Sequence, residues 1–359
     1  MPNLTIGLSL SATWLRGPAW RHPESRVEEL FSAPPLLDAA RLAEDAHLDF
    51  LFKPDALSLS PSSVTEAPGF ASLDPIVLTA ILAQATTRIG LVPTVSATWA
   101  HPHTTARQLQ SIDRLSGGRV GWNVVTSLGG AENFGEQDPP ADPYANAPDF
   151  VASVEALRQS FPAEALLLDR EGGRFADAEQ LRTVPPIGRY SSAGPLTVPA
   201  VSDDPWPLLH AGGSEASIAF ARRHADAVFA MAAAPAQART LRARLDRDDS
   251  RGGVRVLPGL SLCLAATRAE ARTIAAQTGG SPAHVQHWSV VGTPQDAADA
   301  ILRWHAAGAI DGLIALPAGS WRSLELFCTE VVPMLVAAGV FRRSYTASTL
   351  RGHLKEGTR

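Results

Sequence analysis

Cysteine is almost missing from this chain: Cys263 and Cys328 are the only two in 359 residues. With no CxxC pair, a disulfide framework and cysteine-based zinc or iron–sulfur sites are excluded, and both thiols read as small buried hydrophobes. Lysine is nearly as scarce. Of 31 basic residues only Lys53 and Lys355 are lysines, and the arginines are scattered in a chain of net charge −5. Runs of positive charge that could track a phosphate backbone are therefore lacking, and nucleic acid is not expected as a partner. No apolar run approaches the roughly 18 residues of a membrane helix. The opening MPNLTIGLSLSATWL has neither a basic leader nor a small-residue cleavage site. The expectation is a soluble cytoplasmic protein without a membrane partner, and 45% hydrophobic residues supply a large core.

What is present is alternation. Short aliphatic runs predict strands at 4–10, 48–53, 88–95, 119–125, 206–210, 226–231, 254–264 and 310–316. Between them, helical periodicity predicts helices at 35–47, 73–86, 104–115, 149–160, 214–224, 235–247, 294–307 and 320–338. Asp74-Pro75 and Thr293-Pro294 are helix starts, and Gly308 and Gly339 stand where helices end. Eight strand–helix units suggest a (β/α)8 TIM barrel, although an open doubly wound sheet satisfies the same pattern. Two stretches, 128–148 and 161–205, are too long for simple connections. Both follow the fourth strand, which predicts elaboration at one part of the barrel mouth.

In such a barrel the residues just past the strand ends share one pocket. Here these are Ser11, Thr13, Asp55, Ser96, Thr98, Trp99, His101, His103, Asn123, Thr126, Ser127, His210, Gly212, Gly213 and Ser214. The set is polar, aromatic and nearly uncharged. It lacks the two carboxylates of a glycosidase, and GxSxG is absent. His101, His103 and His210 could form a three-histidine site, but no acidic partner accompanies them and Pro102 implies a loop, so no metal is expected. GGSEAS at 212–217 places glycines and a serine where a helix opens after a strand, which is a phosphate site or simply an N-cap. Trp122 reads as packing between barrel and helices; Asp55 and Thr98 could equally serve as loop cap and strand-end hydrogen bonder.

SGGRVGWNVVTS at 116–127, followed by ENFG at 132–135, resembles the most characteristic segment of the bacterial luciferase-like flavin monooxygenases, in the branch of nitrilotriacetate monooxygenase component A and dibenzothiophene sulfone monooxygenase. AWRHPES (19–25), LAEDAHLDFLFKPD (42–55), RIGLVPTVSATW (88–99), HAGGSEASIAFARRHADAVF (210–229) and VGTPQDAADAI (291–301) extend the resemblance over most of the chain. It implies one luciferase-like barrel over 1–359 and a likeness in function: an FMNH2-dependent two-component monooxygenase. Such an enzyme takes FMNH2 from an NAD(P)H-dependent flavin reductase and oxygenates a small organic substrate with O2 through a C4a-(hydro)peroxyflavin. Asp55, Thr98, Asn123 and Thr126 would contact the isoalloxazine and ribityl, and Gly213 and Ser214 the phosphate. His103, His22 and His210 are candidates for substrate contact or proton supply. A homodimer is implied as well.

The chain also departs from that branch. Pro102-His103-Thr104 replaces proline-tyrosine-histidine, Ser217 replaces a glycine, Pro143 precedes Tyr144 in place of arginine, and 265–290 is much shorter than the usual insertion before VGTP. Two alternatives follow: a deazaflavin-dependent oxidoreductase on the same barrel, against which WNVVTS argues, or a flavin-binding protein without turnover.

Overall fold

A computed structural model describes residues 3–127, 129–136, 140–246, 253–278 and 287–356. Its strands are β1 (Thr5–Ser9), β2 (Phe50–Lys53), β3 (Gly90–Ser96), β4 (Trp122–Val125), β5 (Leu166–Asp169), β6 (Arg174–Ala176), β7 (Leu208–Ala211), β8 (Ala227–Ala230), β9 (Arg255–Leu264), β10 (Trp288–Gly292) and β11 (Gly312–Pro317). The helices are α1 (Pro34–Asp45), α2 (Pro75–Ala85), α3 (Pro102–Ser116), α4 (Ala147–Arg158), α5 (Glu215–His224), α6 (Pro235–Leu245), α7 (Arg268–Gln277), α8 (Pro294–Ala306), α9 (Trp321–Leu326), α10 (Val332–Ala337) and α11 (Leu350–Glu356). A π turn, Phe327–Val331, joins α9 to α10.

Eight parallel strands run in the order β9-β11-β1-β2-β3-β4-β7-β8, and β8 pairs back to β9 to close the barrel. Each of the eight predicted strands supplies one of them, so the closed barrel holds and the open sheet does not. The end of β9 continues past β8 and pairs with β10, a ninth strand that the hydrophobic pattern does not single out. Asp74 caps α2 by accepting the Val77 amide proton at 2.9 Å. Thr293 and Asp296 cap α8 reciprocally. These are the expected helix starts, and Gly308 and Gly339 take positive φ at the ends.

Side chains of alternate strand residues fill the barrel: Phe50, Phe52, Val92, Leu209, Leu257 and Ile314 form an inner cluster with Leu350 and Leu354 of α11. That short helix plugs the N-terminal end of the barrel. Gly90 and Gly121 make room for it, since a Cβ at either would stand 2.6 or 2.7 Å from a Leu350 methyl. The outer layer, between strands and helices, is one cluster reaching from Leu4 to Phe341.

The two long stretches part company. Residues after β4 lie over the mouth, where Asn133 donates to the Leu57 carbonyl at 2.8 Å and Phe134 stacks on Trp99 with ring centroids 5.1 Å apart. The second stretch carries the β5–β6 hairpin and leads from the C-terminus of α4 to the start of β7, which is the opposite rim. It is held on the outer wall, with Arg114 donating to Pro199 O and Arg158 to Ser202 O and Asp203 O. The expectation that both elaborate the mouth is thus corrected: a connection that follows a helix returns to the N-terminal end of the barrel.

Candidate active site

Because all eight barrel strands are parallel, the segments after β1, β2, β3, β4 and β7 meet at one rim. Asp55 follows β2 and is exposed; its carboxylate accepts the amide proton of Ala56 at 2.9 Å, and partial desolvation raises its pKa above the ordinary carboxylate value. Thr98 lies two residues beyond β3. Asn123 points into the barrel from β4, 2% exposed, in register with Thr94 and Leu209, and its Nδ2 donates to Thr94 Oγ1 at 3.0 Å. Thr126 is half-buried just past the end of β4. Serine hydroxyls complete this side: Ser127 bonds Ser96 at 2.9 Å, and Ser9 and Ser11 lie 2.9 Å apart.

Three buried polar atoms here have no hydrogen-bond partner among the described residues: Thr98 Oγ1, Trp99 Nε1 and Asn123 Oδ1. Buried polar groups are normally paired, because leaving one unmade costs about 1–3 kcal/mol. A ligand carrying both donors and acceptors would satisfy this set.

At β7 the chain turns through Gly212 and Gly213 into α5. Ser214 is the N-cap and accepts the Ser217 amide proton at 3.1 Å. Gly213 is exposed, and a Cβ there would meet nothing within 4 Å. The turn therefore presents free backbone N–H groups and the positive end of the α5 dipole to a cleft of about 620 Å³ bounded by Phe229, Gln237 and His287.

The three histidine candidates occupy different places. His22 follows the 3-10 turn Gly17–Arg21 and accepts the Glu24 amide proton on Nδ1 at 3.3 Å. His103 is the second residue of α3, where its N–H reaches Nδ1 of the N-cap His101 at 3.3 Å. Both are half-buried on the mouth side. His210 is fully buried and lies behind the wall, since the alternation that turns Leu209 inward turns it outward. A backbone carbonyl can only accept, so Nδ1 donates to Val124 O at 2.7 Å and Nε2 is left as acceptor. It receives the hydroxyl of Ser217 at 2.9 Å, with Tyr144 Oη 3.3 Å away. His210 thus ties β4, the loop after it and the first turn of α5 together. Ser217, unusual beside the resembled branch, has a use: its hydroxyl fills the space above Gly212. Among the described residues no three His, Cys, Asp or Glu side chains cluster as metal ligands.

Burial pushes His210 below the ordinary histidine pKa. A base whose folded pKa is depressed binds fewer protons folded than unfolded, so its contribution is complete above about 6.5 and is lost as pH falls from there toward the folded value. Nitrogen-15 NMR of histidine-labelled protein at pH 8 is expected to show one ring protonated on Nδ1 alone, absent in His210→Gln. An imidazolium spectrum for that ring would overturn the assignment.

Two residues of the mouth escape the sequence reading. Arg16, on the turn after β1, and His287, just before β10, line the central cavity. His287 stacks on Phe229 with centroids 5.4 Å apart, above Gly259, where a Cβ would fall 2.7 Å from its Nδ1. An arginine in the segment that follows the first strand is a signal that could have been read; His287 could not, because β10 was not expected.

The barrel and this rim define a class, and sequence comparison agrees: the family model for luciferase-like monooxygenases matches residues 12–287. The chain belongs to that family and is a monooxygenase. It is 30% identical to dibenzothiophene-sulfone monooxygenase of Rhodococcus erythropolis, with 94% of this chain and 92% of the relative covered. It is 27% identical to nitrilotriacetate monooxygenase component A of Aminobacter aminovorans over 98% and 96% of the two chains. Among solved structures, riboflavin lyase with modified FMN and substrate riboflavin superposes with a TM-score of 0.83 at 26% identity, covering 99% of this chain and 96% of that one. The first alignment spans 424 positions, more than the 359 residues here, so the relative carries segments that this chain lacks. The stretch 265–290, where the shortage is expected, carries α7 and the start of β10, and its residues 279–286 lie outside the described residues.

Proposed function

We propose that the chain is the oxygenating component of a two-component system. It binds FMNH2 delivered by an NAD(P)H-dependent flavin reductase and uses O2 to oxygenate a small organic substrate. The observation that carries this reading is the trio of unpartnered polar atoms at Thr98, Trp99 and Asn123 on the same rim as the open Gly212–Ser214 turn. A ring system with amide-like edges and a phosphate tail matches both halves. The relative named component A supports the division into two proteins, and the riboflavin lyase structure with modified FMN supports the choice of flavin.

In this reading Asp55, Thr98, Asn123 and Thr126 hold the isoalloxazine and ribityl, and Gly213 and Ser214 hold the phosphate. Reduced FMN, when bound, supplies the electrons that activate O2. The protein contributes orientation and dryness. Asn123 offers Oδ1 to a ring N–H, while its own Nδ2 stays on Thr94 and fixes the amide's direction. Trp99 and Phe134 lid the mouth against water. In the same reading His22 and His103 supply substrate contact or protons, whereas His210 acts at a distance by positioning the phosphate turn. The proposal extends to a single-domain, cytoplasmic, homodimeric enzyme.

An anaerobic titration with reduced and oxidised FMN, followed by reductase-coupled oxygen uptake, tests it. Tighter binding of the reduced form, weakened in Thr98→Val and Asn123→Leu by about tenfold or one to two hydrogen bonds' worth, is the expected result. Failure of both forms to bind would remove the reading.

A further inference from the structure

Arg16 stands on the 3-10 turns after β1 and faces a cavity of about 340 Å³ in the barrel mouth. Its guanidinium sits 5.6 Å from the ring centroid of Phe70, and among the described residues no carboxylate lies within ion-pairing distance. Desolvation is the dominant influence on Arg16 and lowers its pKa, as expected of a cation withdrawn from water without a counter-ion. The neighbouring imidazole of His287 is likewise pushed down by burial and by Arg16 itself, and its Nδ1 lacks a hydrogen-bond partner among the described residues. Phe52, Phe229 and Leu316 make the other walls largely apolar, and the hydroxyls of Ser9 and Ser11 are the further polar groups of the lining.

The barrel order decides which anion this cation faces. From β1 to β7 there are four steps around the wall in either direction, so the segment that carries Arg16 and the Gly212–Ser214 turn leave the wall from opposite strands. Each opens to its own cavity, and the two cavities share Phe229 and His287 as a common wall. A flavin phosphate held at β7 leaves Arg16 without a partner. We infer that the substrate carries a carboxylate or a comparable anionic group, which Arg16 pairs with in the mouth while the apolar part of the molecule lies against Phe52, Phe70 and Phe229. This rests on the proposed flavin reading for the role of the cavity as a substrate chamber. An arginine fork suits a two-oxygen anion, and a half-buried site strengthens the pair over one in bulk water.

The test is calorimetric titration of FMN-saturated protein with benzoate, phenylacetate and hexanoate, each against its neutral amide. At least one acid is expected to bind tenfold or more tightly than its amide, with the preference kept in Arg16→Lys and reduced below twofold in Arg16→Gln. FMN affinity should stay within twofold in both variants. Equal binding of acid and amide, no binding of any acid at millimolar concentration, or a preference that survives in Arg16→Gln would overturn the inference. So would a loss of affinity for FMN but not for riboflavin in Arg16→Gln, which would give Arg16 to the phosphate. Repeating the comparison on flavin-free protein separates the two readings: if FMN fails to bind, the cradle falls, while the acid preference still decides Arg16.

Discussion

Arg119→Met is expected to destabilise the protein by about 3–5 kcal/mol, measured as a shift in urea unfolding with unchanged slope. The side chain is 2% exposed, and all five of its N–H donors are engaged: Nε to Ser116 O, Nη1 to Ile89 O and Thr86 Oγ1, Nη2 to Ala83 O and Thr86 O, at 2.7–2.9 Å. Ala83 and Thr86 carry carbonyls at the C-terminal end of α2, and Ser116 carries one at the end of α3. The charge is therefore balanced by the negative ends of two helices, with no carboxylate in contact among the described residues. Burial lowers the Arg119 pKa, but a guanidinium stays protonated at any ordinary pH. Methionine matches the volume and leaves those carbonyls buried and unpaired. A shift below about 1 kcal/mol would mean that water replaces the guanidinium, and the capping account would be wrong.

Gly212→Val is expected to weaken FMN binding on the order of 100-fold, about 2.7 kcal/mol, without unfolding the barrel. Gly212 has φ +155°, and a Cβ there would stand 2.4 Å from Ser217 Oγ and 3.4 Å from His210 Nε2. A side chain must push Ser217 off His210 and tilt the first turn of α5, which moves the N–H groups proposed to meet the phosphate. The milder Gly212→Ala should recover much of its loss when combined with Ser217→Gly, because the second change empties the space the first one fills. Fluorescence quenching of FMN would measure all four affinities. If the double variant is no better than Gly212→Ala, backbone strain and not the contact with Ser217 is responsible.

The barrel was legible because its parallel strands are short, apolar and regularly spaced, and helix starts such as Asp74-Pro75 and Thr293-Pro294 are local signals. Trp122 also follows the reading: it faces outward and packs against Phe150 of α4, with centroids 6.2 Å apart. Other features depend on contacts distant in sequence. In β10, Ser289 and Val291 are not fully buried, so its pattern lacks the continuous apolar run of a barrel strand. His210 looked like a mouth residue because it ends a strand, but a one-residue alternation puts it behind the wall. The place of Arg16 depends on β1 and β7 being opposite, and only the closed order of strands reveals that.

The helix that plugs the foot of the barrel, α11, bears on how the chain is made. Leu350 enters between Gly90 and Gly121, and β11, near residue 312, must meet β1, near residue 5, before the wall is continuous. Such pairings are costly in loop entropy and come late. During synthesis the first seven wall strands emerge with an open edge at β1 and an unfilled floor, and both are sealed only when β11 and α11 arrive. The chain thus carries its vulnerability to misassociation in time as well as in space, and it depends longest on whatever shields nascent strands in the cell.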